Sequence, residues 1–505
     1  MRNEMDKQIR GQAAGGLTRR RFIRLAAAVP IANSSLMGCG DGGAQRGNAS
    51  GGSAGTTNML SGLDYTGPIP GYDQLSAWPC ECGGPRRQKA CGLPGLSLGT
   101  GEQLSIVSRS TGLANAMVIH RGSDELYLQG RGRQSGQSFG WLEKVDPQTL
   151  EALFRSPDLP SGGHNYVGAA AVHENRDIYI VNGRYCHRLN PECEVVAERM
   201  LPVDAPYNGF QIVSDGNLIM KNLGVARIPS STFAVLEPER LEIVSQLEMP
   251  AKSVGRFTVD RTDDGEFIYA TTDSAVLRFR YEDGVLVQDS WQGNYDLPGL
   301  EQSFAWDNCI AGGRVWFTDS GMLPIWESLV ALYPVGVGSR STNAVPQGPL
   351  SLFAFSVEDG ADVATLQPFG SEGPFTSGPP LVDQERSIVV AYDIPAQKVG
   401  AWRFDEATAS FDPLWLKDIL NTQQMLYYPD TGELLVNDAG GGVFGVGEER
   451  VSAILVLDIE SGEEKARIET NARARLGMWF TPGFGRDFYY MSRLNGGSIE
   501  RVVVG

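Results

Sequence analysis

The sequence predicts an all-β chain folded as a β-propeller of eight four-stranded blades, closed by an N-terminal strand. Three observations predict it. From about residue 100 there is no long run of helix-period apolar residues; short alternating runs are separated by Gly, Asp, Asn and Pro. One unit recurs: an apolar strand, an acidic or glycine turn, then a second strand rich in Tyr, Ile, Val or Trp that ends in Asp, Asn or Gly. The last copy, ending "SIERVVVG", is one strand short, while "QLSIVSRS" (Gln103 to Ser110) is a strand without a partner ahead of the first copy.

The copies include "GLANAMVIHRGSDELYLQG", "NYVGAAAVHENRDIYIVNG", "NGFQIVSDGNLIMKN", "VGRFTVDRTDDGEFIYATTD" and "QQMLYYPDTGELLVND". Between them lie outer strand pairs such as "FAVLEPERLEIVSQL" and "ILVLDIESGEEKARI". Units recur at roughly 43 to 54 residues, once at about 74, which matches four strands per blade. A blade buries its two faces only against neighbours, so the ring must close. The orphan strand is expected to complete the last blade; seven blades would follow if two units are one. The insertion from Met322 to Pro349 reads as a loop over one face.

The chain ahead of the ring has its own order. Residues 1–38 contain "LTRRRFIRLAAAVPIANSSLMGCG" up to its last two residues. The apolar run from Phe22 to Met37 is broken by Arg24, Pro30 and Asn33, too short and polar to span a bilayer. Thr18-Arg19-Arg20-Arg21-Phe22-Ile23-Arg24 resembles the twin-arginine export signal. Leu36-Met37-Gly38-Cys39 resembles a lipobox, with Met37 larger than usual there. That resemblance implies cleavage before Cys39 and its lipidation, and Gly40 favours the outer over the inner membrane. Residues 39–57, rich in Gly, Ser, Ala and Thr, read as a flexible tether. The expected address is the periplasm.

Charge and cysteines agree with that address. Residues 1–38 carry seven basic and two acidic residues, so the net charge of −17 becomes −22 after cleavage. This argues against nucleic acid as a partner. It also argues against adhesion to anionic lipid, leaving the Cys39 anchor as the membrane contact. Residues 58–102 form an N-terminal segment expected to hold disulfides. Cys80, Cys82, Cys91, Cys186, Cys193 and Cys309 remain in the mature chain, an even number. Cys186 and Cys193 flank the turn-like "HRLNPE" and are expected to pair, with one of the first three reaching Cys309. The "CECGGPRRQKAC" cluster lacks the paired spacing of a zinc site.

The repeats from residue 103 to 505 resemble the quinoprotein-type and YVTN-type propellers of exported bacterial proteins. The likeness is one of repeat shape and implies fold more than function. A quinone-dependent dehydrogenase fits poorly: Ala466 or Arg467 stands where such repeats carry a docking tryptophan, and adjacent paired cysteines are missing. A serine triad needs a histidine and a G-x-S-x-G elbow. There are four histidines (His120, His164, His173, His187) and no such elbow. His120 and His173 occupy equivalent strand ends and read as structural; His164, in a loop leading to an inner strand, is the best catalytic candidate.

The expected function is a lipid-anchored binding or scaffold propeller for a small-molecule or protein ligand. The alternative is a metal-assisted lactone or ester hydrolase. "PYNGFQIVSDGNL" and "VWFTDSG" resemble segments of the gluconolactonase and strictosidine-synthase-like propellers, which have six blades. In that alternative, loops entering the inner strands supply the site: His164 or Glu301 handles the proton. Asn208 and Glu301 hold a divalent cation such as calcium, and Asn115, Asn165, Gln302, Asn421 and Arg475 contact substrate. No motif requires any other cofactor. Asp273, Asp319, Asp393 and Asp438, with Asn222, end successive second strands and are expected to cap their own turns.

Overall fold

The computed structural model describes residues 69–505 except 225–227, 229, 296–304, 322–347, 371–374, 377, 441–450, 471–477 and 493–496. For Asn115, Gln423, Met478, Trp479 and Ser492 it describes the backbone alone. The export segment, Cys39, the tether, Glu301, Gln302 and Arg475 lie outside the described residues.

Among these residues the regular structure is β, apart from the single 3-10 turn Glu81–Gly83. Eight sheets of four or five strands follow one another, and the blade count matches the expectation. Their inner strands are Ala114–Arg121, Val167–Val172, Tyr207–Ile212, Thr258–Thr262, Ala305–Ala311, Leu381–Asp383, Leu426–Tyr428 and Thr481–Pro482, which number blades one to eight. Blades two to seven are simple antiparallel meanders. Blade eight is completed from the other end of the chain. Leu104–Ser110 pairs antiparallel with Ser498–Val504, from Leu104 opposite Val504 to Ser110 opposite Ser498. The N-terminal strand therefore closes the ring as its sequence predicts.

Burial explains why alternation fades inward. All six residues of Val167–Val172 and of Tyr207–Ile212 are buried, because inner strands are covered on both faces. Outer strands such as Val195–Met200 and Leu104–Ser110 keep exposed positions along their length. The core runs from seam to seam. Trp316 of blade five meets Phe404 of blade six edge-on at 5.1 Å, and Phe233 of blade three meets Phe257 before blade four at 5.2 Å. Tyr489 and Met491 of blade eight share one apolar cluster with blades one and two. Among the described residues every seam between neighbouring blades is packed.

Four inner strands carry a register shift near their start: Asn115/Met117, Val167/Ala169, Asn208/Phe210 and Ala305/Asn308. Such bulges bend a strand and re-aim its side chains. Glycine permits the close approach that results. A Cβ on Gly168 would stand 2.5 Å from the Tyr207 carbonyl oxygen, and one on Gly255 2.2 Å from that of Trp306.

Candidate functional site

The inner edge of each blade presents backbone groups that need partners. Residues 69–98 supply them. The Trp78 carbonyl accepts from His120 N in blade one at 3.0 Å, and the Pro79 carbonyl from Val172 N in blade two at 2.8 Å. Tyr72 Oη donates to Gln211 Oε1 of blade three at 2.6 Å. Pro85 O accepts from Val259 N of blade four, Arg86 O from Ile310 N of blade five, and Lys89 O from Tyr427 N of blade seven. Lys89 Nζ donates to Pro380 O ahead of blade six at 2.9 Å, and Arg486 Nε of blade eight donates to Leu96 O at 2.7 Å. This segment is a plug that touches all eight blades.

Its turns are tight. Gly83, with φ of 85°, lies against the Trp78 ring, while Cys82, Arg87 and Lys89 hold φ of 60°, 56° and 59°. Left-handed backbone at residues with side chains is held against a steric cost by the surroundings. Here the surroundings are ionic. Arg87 Nη2 donates to Glu81 Oε1 at 2.6 Å and to Asp307 Oδ2 at 2.7 Å. Arg256 joins from the loop before blade four, its Nε 3.0 Å from Glu81 Oε2 and its backbone N–H on Asp307 Oδ1 at 2.7 Å. Arg256 Nη2 continues to the Gly168 carbonyl of blade two at 3.4 Å. Two guanidiniums and two carboxylates thus form a neutral, buried quartet across the channel. Burial acts against the Arg87 charge, yet Glu81, Cys82 and Asp307 hold its pKa above the usual value.

Two lysines extend the polar layer. Lys221 Nζ donates to Asn208 Oδ1 at 2.9 Å and to Ser253 O at 3.1 Å; Lys89 donates to the carbonyls of Pro379 and Pro380. Burial lowers Lys221 to about 7 and Lys89 to about 8. Nothing local in "CECGGPRRQKAC" announces these contacts, because Arg87 and Asp307 are 220 residues apart.

The residues singled out from sequence separate into different environments. His164 lies before blade two with Nε2 3.2 Å from Asp204 Oδ1, an oxygen that Arg184 Nη1 also reaches at 3.2 Å. The His164 hydrogen bond and the Arg184 charge hold Asp204 below the usual carboxylate range. The Asn165 carbonyl takes Arg131, and its Oδ1 has no hydrogen-bond partner among the described residues. Asn421 Oδ1 accepts the Asn437 N–H at 3.1 Å, a tie between the chain leading to the blade-seven inner strand and the second strand. Asn115 sits at the blade-one bulge. His164 and Asn208 each bond to their own neighbours, with no hydrogen bond or ion pair recorded between them.

Three expectations can be set against the geometry directly. His120 Nε2 lies 2.9 Å from Pro482 O and His173 Nε2 2.9 Å from Gly216 O, so both tie neighbouring blades, as structural histidines do. Of the turn-capping set, Asp319 and Asp438 cap their own turns, whereas Asp393 and Asn222 tie to segments 18 and 10 residues away. Asp319, Asp393, Asp438 and Asn222 accept the N–H of Gly321, Phe375, Gly440 and Thr232. The Cys186–Cys193 bridge needs correction: both are separate buried thiols. Cys186 lies in the strand Tyr185–Leu189, whereas Cys193 is in the turn beyond Asn190. Three strand residues at about 3.3 Å each put roughly 10 Å between those levels, beyond disulfide reach. Cys80, Cys82, Cys91 and Cys309 are also free and buried, so the expected bridge from the plug to Cys309 is absent as well.

No family model matches the sequence, and no curated protein matches it significantly. Solved structures do match in fold. The quinohemoprotein alcohol dehydrogenase from Comamonas testosteroni aligns with a TM-score of 0.59 at 10% identity, over 86% of this chain and 81% of that one. The quinohemoprotein alcohol dehydrogenase ADHIIG from Pseudomonas putida HK5 gives 0.51 at 12% identity, over 85% and 80%. The Dos1 propeller gives 0.52 at 8% identity, over 80% and 95%. At such identities the likeness shows a multi-bladed propeller and nothing of its chemistry.

Proposed function

We propose that the protein is an exported, lipid-anchored propeller that binds or scaffolds in the bacterial envelope. It is held through Cys39, with the outer membrane favoured. One observation carries the reading. The channel, where a propeller enzyme can gather reacting groups, is crossed by a structural plug and a charge-neutral quartet. Binding is then left to the rims and outer strands. No helix among the described residues is long and apolar enough to cross a membrane, so the anchor supplies the attachment in this reading.

The hydrolase alternative rests on His164, oriented by Asp204 at the rim. Its cation fits the described residues badly. The Asn208 oxygen meant to hold calcium already accepts from Lys221 Nζ, so a cation there would have to displace that hydrogen bond. Among the described residues no group of three His, Cys, Asp or Glu is arranged to hold a metal ion. The eight blades also depart from the six of the lactonase-like propellers.

The test has two arms. Full-length lipidated protein, assayed on a lactone and ester panel with and without chelator, should show no hydrolysis above the uncatalysed rate. Chelator-sensitive turnover would replace the binding reading with the hydrolytic one. Chemical cross-linking in intact cells should yield discrete higher-mass species, and recovery of free monomer alone counts against a scaffold.

A further inference from the structure

The plug brings two chemically complementary groups onto one acceptor. Lys89 Nζ donates to the Pro380 carbonyl oxygen at 2.9 Å, and Cys309 Sγ donates to that same oxygen at 3.4 Å. Lys89 belongs to the plug, Cys309 to the inner strand of blade five, and Pro380 to the linker into blade six. Both side chains are buried, and no ion pair to a carboxylate is recorded for Lys89 among the described residues. Beside them, Cys82 Sγ donates to Gln424 Oε1 at 3.0 Å. Gln424 Nε2, on a side chain 1% exposed, has no partner among the described residues.

The two groups also tune each other. Burial raises Cys309 to about 11, the smallest rise among the six thiols, because Lys89 and Arg87 stand close. Cys82, Cys91, Cys186 and Cys193 reach about 12, and Cys80 goes higher. Burial meanwhile lowers Lys89 to about 8, so roughly a tenth of the amine is neutral at pH 7. The amine and the thiol thus share one carbonyl acceptor, and burial favours the neutral form of both.

We propose that Cys309 is a redox-sensitive thiol whose oxidised form is captured by Lys89, giving a reversible sulfur–nitrogen cross-link between plug and ring. The oxidant is a peroxide. Cys309–SH takes one oxygen from hydrogen peroxide, forming the sulfenic acid Cys309–SOH and one water. The neutral Lys89 amine attacks that sulfur; the S–N bond forms as the S–O bond breaks. The leaving hydroxide takes a proton from the nitrogen and departs as a second water. The protein loses two hydrogens in total, and the peroxide becomes two waters. Two equivalents of an external thiol reverse the link, restoring Cys309 and Lys89 and releasing one disulfide. Capture falls to Lys89 and not Cys82, because Cys82 is committed to Gln424 beside blade seven while Lys89 shares the acceptor of Cys309. The link would bind an otherwise non-covalent plug to the wall it fills.

Full-length protein is treated with hydrogen peroxide, alkylated, digested and analysed by mass spectrometry. The expected product is a peptide pair joined through Lys89 and Cys309, about 2 Da below the sum of its parts. It should disappear after dithiothreitol, and the cross-linked protein should melt at a higher temperature than the untreated protein. Lys89→Met should abolish the link and let Cys309 proceed to the sulfinic acid. Should that variant fail to fold, Cys82→Ala serves instead, and the link must survive it. The inference is overturned by a Cys82–Cys309 disulfide, by a sulfinic Cys309 beside a free Lys89 amine, or by a Cys309 that peroxide leaves untouched.

Discussion

Single side chains do much of the work of joining one blade to its own turns. Asp319 Oδ1 takes the Gly321 N–H at 2.6 Å and Asn222 Oδ1 takes the Thr232 N–H at 2.6 Å, each where a second strand ends. Removing such an acceptor strands a buried donor, so Asp319→Ala and Asn222→Ala should each cost about 1 kcal/mol in denaturant unfolding. Glu500 behaves differently. It sits in the closing sheet, opposite Ser108 on one side and Tyr490 on the other, with Oε2 buried without a hydrogen bond among the described residues. Burial raises its carboxyl from 4.5 to about 7. Between those values the folded state keeps a proton that the unfolded chain has released, so stability falls as pH rises from about 4.5 to about 7. Glu500→Gln should flatten that slope and melt higher than wild type at neutral pH. Melting curves across this range check it, and an unchanged slope would discount Glu500. His120 and His187, lowered by burial to about 3 and about 4, pull the other way by weakening the fold as pH drops below about 6.5.

At the scale of elements, legibility follows sequence distance. The blades could be read because a strand, its turn and the next strand are neighbours, as in "SDGNLIMKN", where Asn217 and Gly216 shape the turn between Tyr207–Ile212 and Leu218–Asn222. The closing strand could be read as well, because one copy lacked a strand and another strand had no partner. The plug could not. Its cysteines suggested bridges, but Cys80 and Ala171 form a backbone bridge instead, and Glu81, Arg87 and Lys89 hold the segment through contacts hundreds of residues away. Loop position alone suggested Asn208 as a metal ligand; Lys221, on the adjacent strand, takes its oxygen. The quartet offers a test of the plug as an element. Arg87→Met leaves Glu81 and Asp307 with one guanidinium between them, and breaking such a buried set should cost about 3–5 kcal/mol. Adding Glu81→Gln removes one of the two carboxylates and should recover part of the loss. Equal destabilisation by the single and double variants would show that Arg87 acts through packing alone.

For the whole molecule, ring closure bears on the export proposed for it. The last sheet pairs Ser105 with Val503 across 398 residues, and the plug is fixed by all eight blades. Contacts of such long range form late and slowly, and until they form the blade edges and seams stay open to aggregation. A chain of this kind gains from completing its ring in the cytoplasm, where chaperones are at hand, and crossing the membrane already folded. That is what the resemblance of Arg19-Arg20 and its neighbours to the twin-arginine signal implies. The two properties support one prediction. Lysine keeps the charge of arginine but not its planar guanidinium, so replacing Arg19 and Arg20 together with lysine should strand a folded, closed-ring precursor in the cytoplasm. Protease resistance of the cytoplasmic fraction reads the closed ring, and periplasmic delivery at the wild-type level would sink the export reading. Cys39→Ala separates the second step from the first. It should leave translocation intact and release the ring into the soluble periplasmic fraction, whereas retention in the membrane pellet would mean that something other than an acyl anchor holds it there.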